Sequence, residues 1–364
     1  MKNEKRTFGV CDCTDEKKQK CARIFCTNTT YEVFKIYPAM LVDNLPSITF
    51  GIPTYNEADR IEFCLQAIKD QNYPQSSIEV IIVDANSTDN TKFIANKYNC
   101  KIIQNEKKLP EPGLALAYEK AKGDYMVFMA ADNIIFDKCW LLKMIEPFLG
   151  NENDVLVSFS KVCNDPRDNI WNKYMNEDQD PFSSFVFRNA SHPDKFRLEY
   201  DEIKKNSNYI IYKYDEYNFP LIALAQGTIL KTKLKRSATI YDDIAPIIEI
   251  IKSGKNIAYV TSTCLHHYSY KGLKHLYNKL NFRIYNSFKT SSYIDRENYS
   301  NRKRKIRRFL FIIYGITILL PILDGIKLAI QKKRIYMIIH PIIVSIITFL
   351  IFKNYIKINI YEKN

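Results

Sequence analysis

Glycine is scarce in this chain, 10 residues in 364, and no G-x-G-x-x-G run opens a helix, which excludes a dinucleotide-binding oxidoreductase of the usual kind. The nine cysteines are an odd number spread thinly, a pattern that suits reduced thiols better than a disulfide framework. Cys11, Cys13, Cys21 and Cys26 cluster, but their spacing lacks the paired CxxC of a zinc knuckle and fits an irregular N-terminal extension. There is no internal repeat and no low-complexity linker. The opening MKNEKRTFGVCDCTDEKK has charge without an apolar core, so no cleavable secretory signal is expected. Basic residues are not interleaved with aromatics as in a base-stacking platform, which argues against nucleic acid as a partner. No apolar run clearly reaches the roughly 20 residues of a transmembrane helix.

What is present is a chain long enough for a large α/β domain, with 46% hydrophobic residues. Lys and Arg outnumber Asp and Glu by 53 to 40, a net charge of +13 that favours an anionic partner. Arg302, Lys303, Arg304, Lys305, Arg307 and Arg308 stand directly before an apolar stretch, a placement that points to lipid headgroups. Two apolar runs follow, 309–323 and 335–352. They predict a C-terminal membrane-associated hairpin, spanning or re-entrant.

From Pro46 onward, short β-rich runs alternate with amphipathic stretches. SITFGI, IEVIIVD, KII and DYMVFMA read as strands, and a helix presents Ile61, Cys64, Leu65 and Ile68 on one face. Uninterrupted apolar strands alternating with helices predict an α/β domain with a mostly parallel sheet covered on both faces. The polar, aromatic-rich span from Asn164 to Tyr217 reads as loops and short helices. A helix from about Asp242 to Ser253, closed by Gly254, and a strand NIAYV follow. Ligands of open parallel sheets bind beyond the carboxyl ends of the strands. Polar residues stand at three such ends: Pro53-Thr54-Tyr55-Asn56-Glu57, Asp84 through Asp89, and Asp132-Asn133.

These segments, ITFGIPTYNEADRIEFCLQAI, EVIIVDANSTDNTKFIA, AKGDYMVFMAADNIIFD and YDDIAPIIEIIKSGKNIAYV with a following His-His, together resemble inverting glycosyltransferase family two, whose Rossmann-like fold is called GT-A. The resemblance covers about Pro46 to Tyr268. It implies transfer of a sugar from a nucleoside-diphosphate donor to an acceptor hydroxyl, with Pro53, Thr54, Tyr55, Glu57 and Asp84 along the nucleotide pocket and Asp84 accepting from the base. The family's Asp-x-Asp element would hold Mg²⁺ or Mn²⁺; here it reads Ala130-Ala131-Asp132, leaving Asp132 as the metal ligand with His267 as a second. Asp242-Asp243 resembles the family's acidic pair, with Asp243 as the base and Asp242 orienting the acceptor. Both acids also suit a helix N-terminal dipole. Gly113 with Leu114 to Ala117 falls at a helix start with a packing role.

The resemblance implies the following organisation: an N-terminal extension (1–45), a GT-A domain (46–270), a basic helical linker (271–308) and a membrane-associated hairpin (309–364). The expected partners are a nucleotide-diphosphate sugar, a glycan or lipid-linked acceptor and the cell membrane, with the catalytic domain on the cytoplasmic side. Cell-envelope polysaccharide or glycolipid synthesis would employ such an enzyme. The incomplete Asp-x-Asp leaves an alternative, a catalytically inactive scaffold subunit of a membrane glycan-assembly complex.

Overall fold

The computed structural model describes residues 45–149, 154–178, 180–232, 245–289 and 302–361. The cysteines of the N-terminal extension, and Asp242 and Asp243, lie outside the described residues. A single sheet organises the domain. Its first half comprises β1 (Ile48–Thr54), β2 (Ile78–Asp84), β3 (Lys101–Gln104) and β4 (Tyr125–Met129), in the spatial order β3-β2-β1-β4 and all parallel. The sheet then continues through β9 (Gln226–Lys231), β6 (Val155–Cys163), β10 (Asn256–His267), β8 (Tyr209–Tyr212) and β7 (Glu202–Lys205). β9 runs antiparallel to both neighbours, whereas β6 and β10 are parallel to each other. The sheet is therefore mixed, with its parallel half carrying the polar strand ends.

Side-chain alternation along β1 sends Ile48, Phe50 and Ile52 to one face and Thr49, Gly51 and Pro53 to the other. Helix α1 (Ile61–Lys69) buries Ile61, Cys64, Leu65, Ala67 and Ile68, the apolar stripe read from the sequence. Helix α2 (Thr91–Lys97) packs beside it. On the Gly51 face, α3 (Pro110–Lys120) lies so close that a Cβ at Gly51 would stand 2.8 Å from the Ala117 Cβ. Gly113 of the same helix fits against Pro53 and Asn105, the packing role expected of it. The core on this face joins Ile81, Val83, Met126, Phe128, Phe159 and Tyr259.

Beyond β4 come the two-residue strand β5 (Asn133–Ile134) and α4 (Trp140–Ile145). Residues 164–217, expected as loops and short helices, contain α5 (Ile170–Asp178) and α6 (Pro181–Phe187), but also the β7–β8 hairpin. These four-residue strands carry little local signal. Pairing of β8 with β10 fixes them, and that is a tertiary event. The thiols also differ from expectation, since Cys163 and Cys264 form a disulfide across 101 residues. Only the adjacency of β6 and β10 brings them together, so their separation in the chain concealed the pair. Cys64, Cys100 and Cys139 are buried thiols.

After α7 (Ala245–Lys252) and β10, the chain is helical: α8 (Leu273–Lys289), α9 (Arg302–Ile316), α10 (Leu319–Lys332) and α11 (His340–Ile356). These helices share a second core with α5, formed by Tyr174, Leu276, Leu280, Phe311, Ile343 and Ile347 among others. Gly315 lets α9 cross α11 closely, because a Cβ there would overlap the Thr348 hydroxyl. The basic run opening α9 is not wholly a headgroup surface: Arg304 is buried between the rings of Phe187 and Phe219, 4.7 and 4.3 Å from their centres. Its guanidinium holds α9 to the sheet domain by cation–π contact. Arg302, Lys303 and Lys305 remain exposed.

Candidate active site

The loop after β1 and the loop after β2 are fastened to each other by side chains. Asn56, whose backbone is left-handed (φ 54°), donates its N–H to Ser87 Oγ and accepts from Thr88 N–H. Glu57 N–H donates to Thr91 Oγ1, and Ala58 N–H to Asp89. Asp84 is buried and central: its Oδ1 accepts from Thr54 Oγ1 (3.0 Å) and Ser87 Oγ (2.5 Å), and its Oδ2 accepts from Ser87 N–H (2.8 Å). A carboxylate has about four lone-pair sites, so Oδ2 retains capacity for one further donor. Tyr55 projects from the same loop and is 61% exposed. Pro53 sits on the α3 face beside Gly113.

Asp132 lies just past β4, separated from β2 by β1 alone. The bridge of β5 to β10 places Asn133 opposite His267, and Tyr268 N–H donates to the Asp132 carbonyl, which sets His267 beside the Asp132 side chain. His267 Nε2 stands 3.4 Å from Oδ1. On the other oxygen, Lys279 Nζ of α8 is 3.2 Å away and Arg60 Nη1, at the entry to α1, is 3.5 Å away. Burial works to raise the Asp132 carboxyl, but Lys279, His267 and Arg60 overcome it and hold it well below the ordinary carboxylate range. The two histidines part company. His266 packs edge-on against Phe136 at 4.6 Å, and burial depresses it to about 4. The His267 backbone carbonyl is clamped by Asn172 and Asn176, and its Nδ1 meets Gln226 Nε2 at 3.3 Å.

Thus the structure brings Thr54, Glu57 and Asp84 together by loop stapling, and Asp132 with His267 by strand pairing. Sequence reasoning missed Arg60 and Lys279. Arg60 stands only three residues after Glu57 and could have been flagged; Lys279 carried no motif. Glu57 is raised to about 7, first by burial and then by the negative charge of Asp132. The folded chain thus keeps a proton that the unfolded chain releases near 4.5. The associated stability is fully present below that value and is lost as pH rises through about 7. Unfolding in chelator across this window is expected to show Glu57→Gln losing less stability with rising pH than the wild type; parallel curves would oppose the assignment.

Acids gathered at the carboxyl ends of adjacent parallel strands define an α/β ligand-binding domain. Residues 49–217 match the profile of glycosyl transferase family 2. The chain is 33% identical over 122 residues to the glycosyltransferase AglE of Haloferax volcanii, covering 32% of this chain and 40% of that one. It is 34% identical over 120 residues to the poly(ribitol-phosphate) beta-N-acetylglucosaminyltransferase TarS of Staphylococcus aureus, covering 31% of this chain and 21% of that one. The matched segments thus span less than half the length of either relative. Among solved structures, the mannosyltransferase PcManGT of Pyrobaculum calidifontis, in complex with GDP-Man and Mn²⁺, aligns over 95% of this chain and 97% of that one. The identity is 14% and the TM-score 0.49.

Among the described residues no group of three or more His, Cys, Asp and Glu side chains could hold a metal ion. The pair Asp132 and His267 nevertheless fits a divalent cation whose remaining ligands are substrate oxygens and water. Asp132 Oδ1 is buried without a hydrogen-bond donor among the described residues and faces an imidazole nitrogen.

Proposed function

We propose that the protein transfers a sugar from a nucleoside-diphosphate donor to an acceptor hydroxyl with inversion at the anomeric carbon. The observation that carries this reading is the meeting of Asp132, on the loop after β4, with His267, at the end of β10, beside the Asp84 pocket. In this reading Pro53, Thr54, Tyr55, Glu57 and Asp84 border the nucleotide, and the open lone pair of Asp84 Oδ2 takes an N–H of the base. Asp132 and His267 would hold Mg²⁺ or Mn²⁺, which supplies Lewis-acid charge to the leaving diphosphate. Asp243 removes the proton of the attacking hydroxyl and Asp242 orients the acceptor. One-step attack opposite the leaving group inverts the configuration.

Thermal denaturation with UDP, GDP and their common sugars, with and without Mn²⁺, followed by anomeric analysis of product, tests the reading. Stabilisation by one nucleotide and an inverted product support it; a retained configuration would refute it. Ala130, standing where the family has its first acid, favours the inactive-scaffold alternative, and donor hydrolysis by the purified protein excludes that alternative.

The acceptor follows from the C-terminal helices. Ile335–Ile360 is a 26-residue helix with mean hydropathy 2.4, long and apolar enough to cross a membrane by length and composition. Helices α9 and α10 form a pair bent by 97°. Phe309, Ile316, Leu319, Ile330, Ile335 and Phe349 are all more than half exposed, a patch of the kind that marks a membrane surface. A lipid-linked or membrane-proximal acceptor suits this surface, and the name of the staphylococcal relative specifies a phosphate-bearing polymer. We place the catalytic domain on the cytoplasmic side, because exposed Lys and Arg flank the apolar helices. The Cys163–Cys264 bond is the observation that opposes this side. Flotation on vesicles should require anionic lipid, and Gln331→Cys should resist an impermeant thiol reagent on intact cells. Labelling from outside would overturn the assigned side.

A further inference from the structure

Asp132 has more positive charge around it than one carboxylate requires. Arg60 and Lys279 share a single oxygen, Oδ2, while His267 faces the other. Two permanent cations face one permanent anion, since the neighbouring Glu57 carboxyl is raised to about 7 and balances them only in part, and with side chains 13% and 35% exposed they can take a further anion. The donor count points the same way. Lys279 Nζ has three N–H groups, of which one is directed to Asp132 and one to Ser269 Oγ at 2.5 Å. Ser269 therefore fixes the ammonium while one donor stays available. Arg60 offers a planar fork of five N–H donors and contacts Asp132 through Nη1. Where an acid would complete a carboxylate pair for a metal, the chain has Ala130, whose carbonyl instead accepts from Asn133 N–H.

We infer that Arg60 and Lys279 bind the diphosphate of the donor directly, so that this chain grips the leaving group with side-chain cations as well as through Asp132 and His267. The inference rests on the reading of the site as a nucleoside-diphosphate pocket and adds two residues to it. Charge-assisted contacts to phosphate oxygens are shorter and stronger than neutral ones, and here they are preset by Asp132 and Ser269. Such donors stabilise negative charge as it develops on the leaving group, with no reorganisation at the moment of reaction.

The test is calorimetric titration of the full chain with UDP and with GDP, in EDTA and in Mn²⁺, with uridine and guanosine as charge-free controls. The wild type should bind one nucleoside diphosphate in EDTA. Lys279→Met and Arg60→Gln should each weaken that binding by about tenfold or more, with binding of the nucleoside unchanged and Lys279→Arg restoring most of the loss. Unaltered diphosphate affinity in EDTA for both folded variants would overturn the inference and leave the two residues as counter-ions of Asp132. Binding by the wild type only in Mn²⁺ would also overturn it, while leaving the glycosyltransferase reading intact. Absence of binding under both conditions would overturn both.

Discussion

Asp132→Asn is expected to lower turnover on the order of 10²-fold or more and to abolish the response to Mn²⁺ or Mg²⁺. Asn keeps the volume and one carbonyl oxygen beside His267, but removes the charge that organises three basic groups. Two effects then act together. The site loses its carboxylate ligand, and Arg60 and Lys279 are released to repel one another. The stability cost should fall short of that of a fully buried broken pair, because Lys279 is 35% exposed and water can screen it. Since the Asp132 carboxyl is held far below its usual range, its stabilising contribution is present above about pH 4 and is lost as pH falls through the depressed value. The Asn variant should therefore acid-denature with a shallower slope than the wild type. Asp132→Ala should be at least as inactive, with a cavity added. Steady-state rates across a Mn²⁺ titration decide the matter. Full activity of either variant in excess chelator would remove Asp132 from the mechanism.

The parts of the site that could be read from the sequence lie at the ends of strong local signals. Strands β1, β2 and β4 are unbroken apolar runs that stop at polar residues, so Thr54, Asp84 and Asp132 were visible as strand-end groups. Gly254, left-handed at φ 71° just past α7, was legible as a helix stop. The contributions that were missed come from tertiary adjacency. Lys279 reaches Asp132 across 147 residues, and nothing within α8 distinguishes it from an ordinary solvated lysine. Arg304 belongs to a basic run whose local pattern suggested lipid, but the rings of Phe187 and Phe219, supplied by distant segments, enclose it. Cys163 and Cys264 meet only because β6 and β10 are neighbours.

The same adjacency links the apolar C-terminal helices to the Asp132 site. Helix α8, which carries Lys279, lies along α11: Asn354 Nδ2 donates to Asn281 Oδ1 at 3.1 Å, Lys353 Nζ lies 5.5 Å from the Tyr277 ring, and Tyr355 packs on Phe288. His340, at the start of α11, is hydrogen-bonded to Tyr174 of α5 through Nδ1 and to Tyr314 of α9 through Nε2. A buried polar network of this kind fixes relative position more than it adds stability. The apolar helices are therefore part of the scaffold that positions Lys279, and their truncation removes core residues.

Asp243→Asn is expected to leave folding and donor binding nearly intact while turnover falls on the order of 10²-fold or more, the usual worth of a positioned base. The reasoning is chemical. Displacing a nucleoside diphosphate in one step requires a group that takes the proton of the incoming hydroxyl, and neutral Asn cannot accept it. Asn can still cap a helix N-terminus, so the substitution separates proton transfer from support of α7. Asp132 cannot stand in, since Lys279, His267 and Arg60 hold its carboxyl well below the ordinary carboxylate range and so make it a poor proton acceptor. Glu57, raised to about 7, is the rival base. Glu57→Gln should then lower activity less than Asp243→Asn does and leave the acid limb of the pH–rate profile, where a base titrating near 7 would act, unchanged. The decisive comparison is single-turnover rate against unfolding midpoint for the two variants. Loss of stability with proportionate loss of rate in Asp243→Asn would mark Asp243 as a helix cap, and a larger rate loss in Glu57→Gln would move the base to the loop after β1.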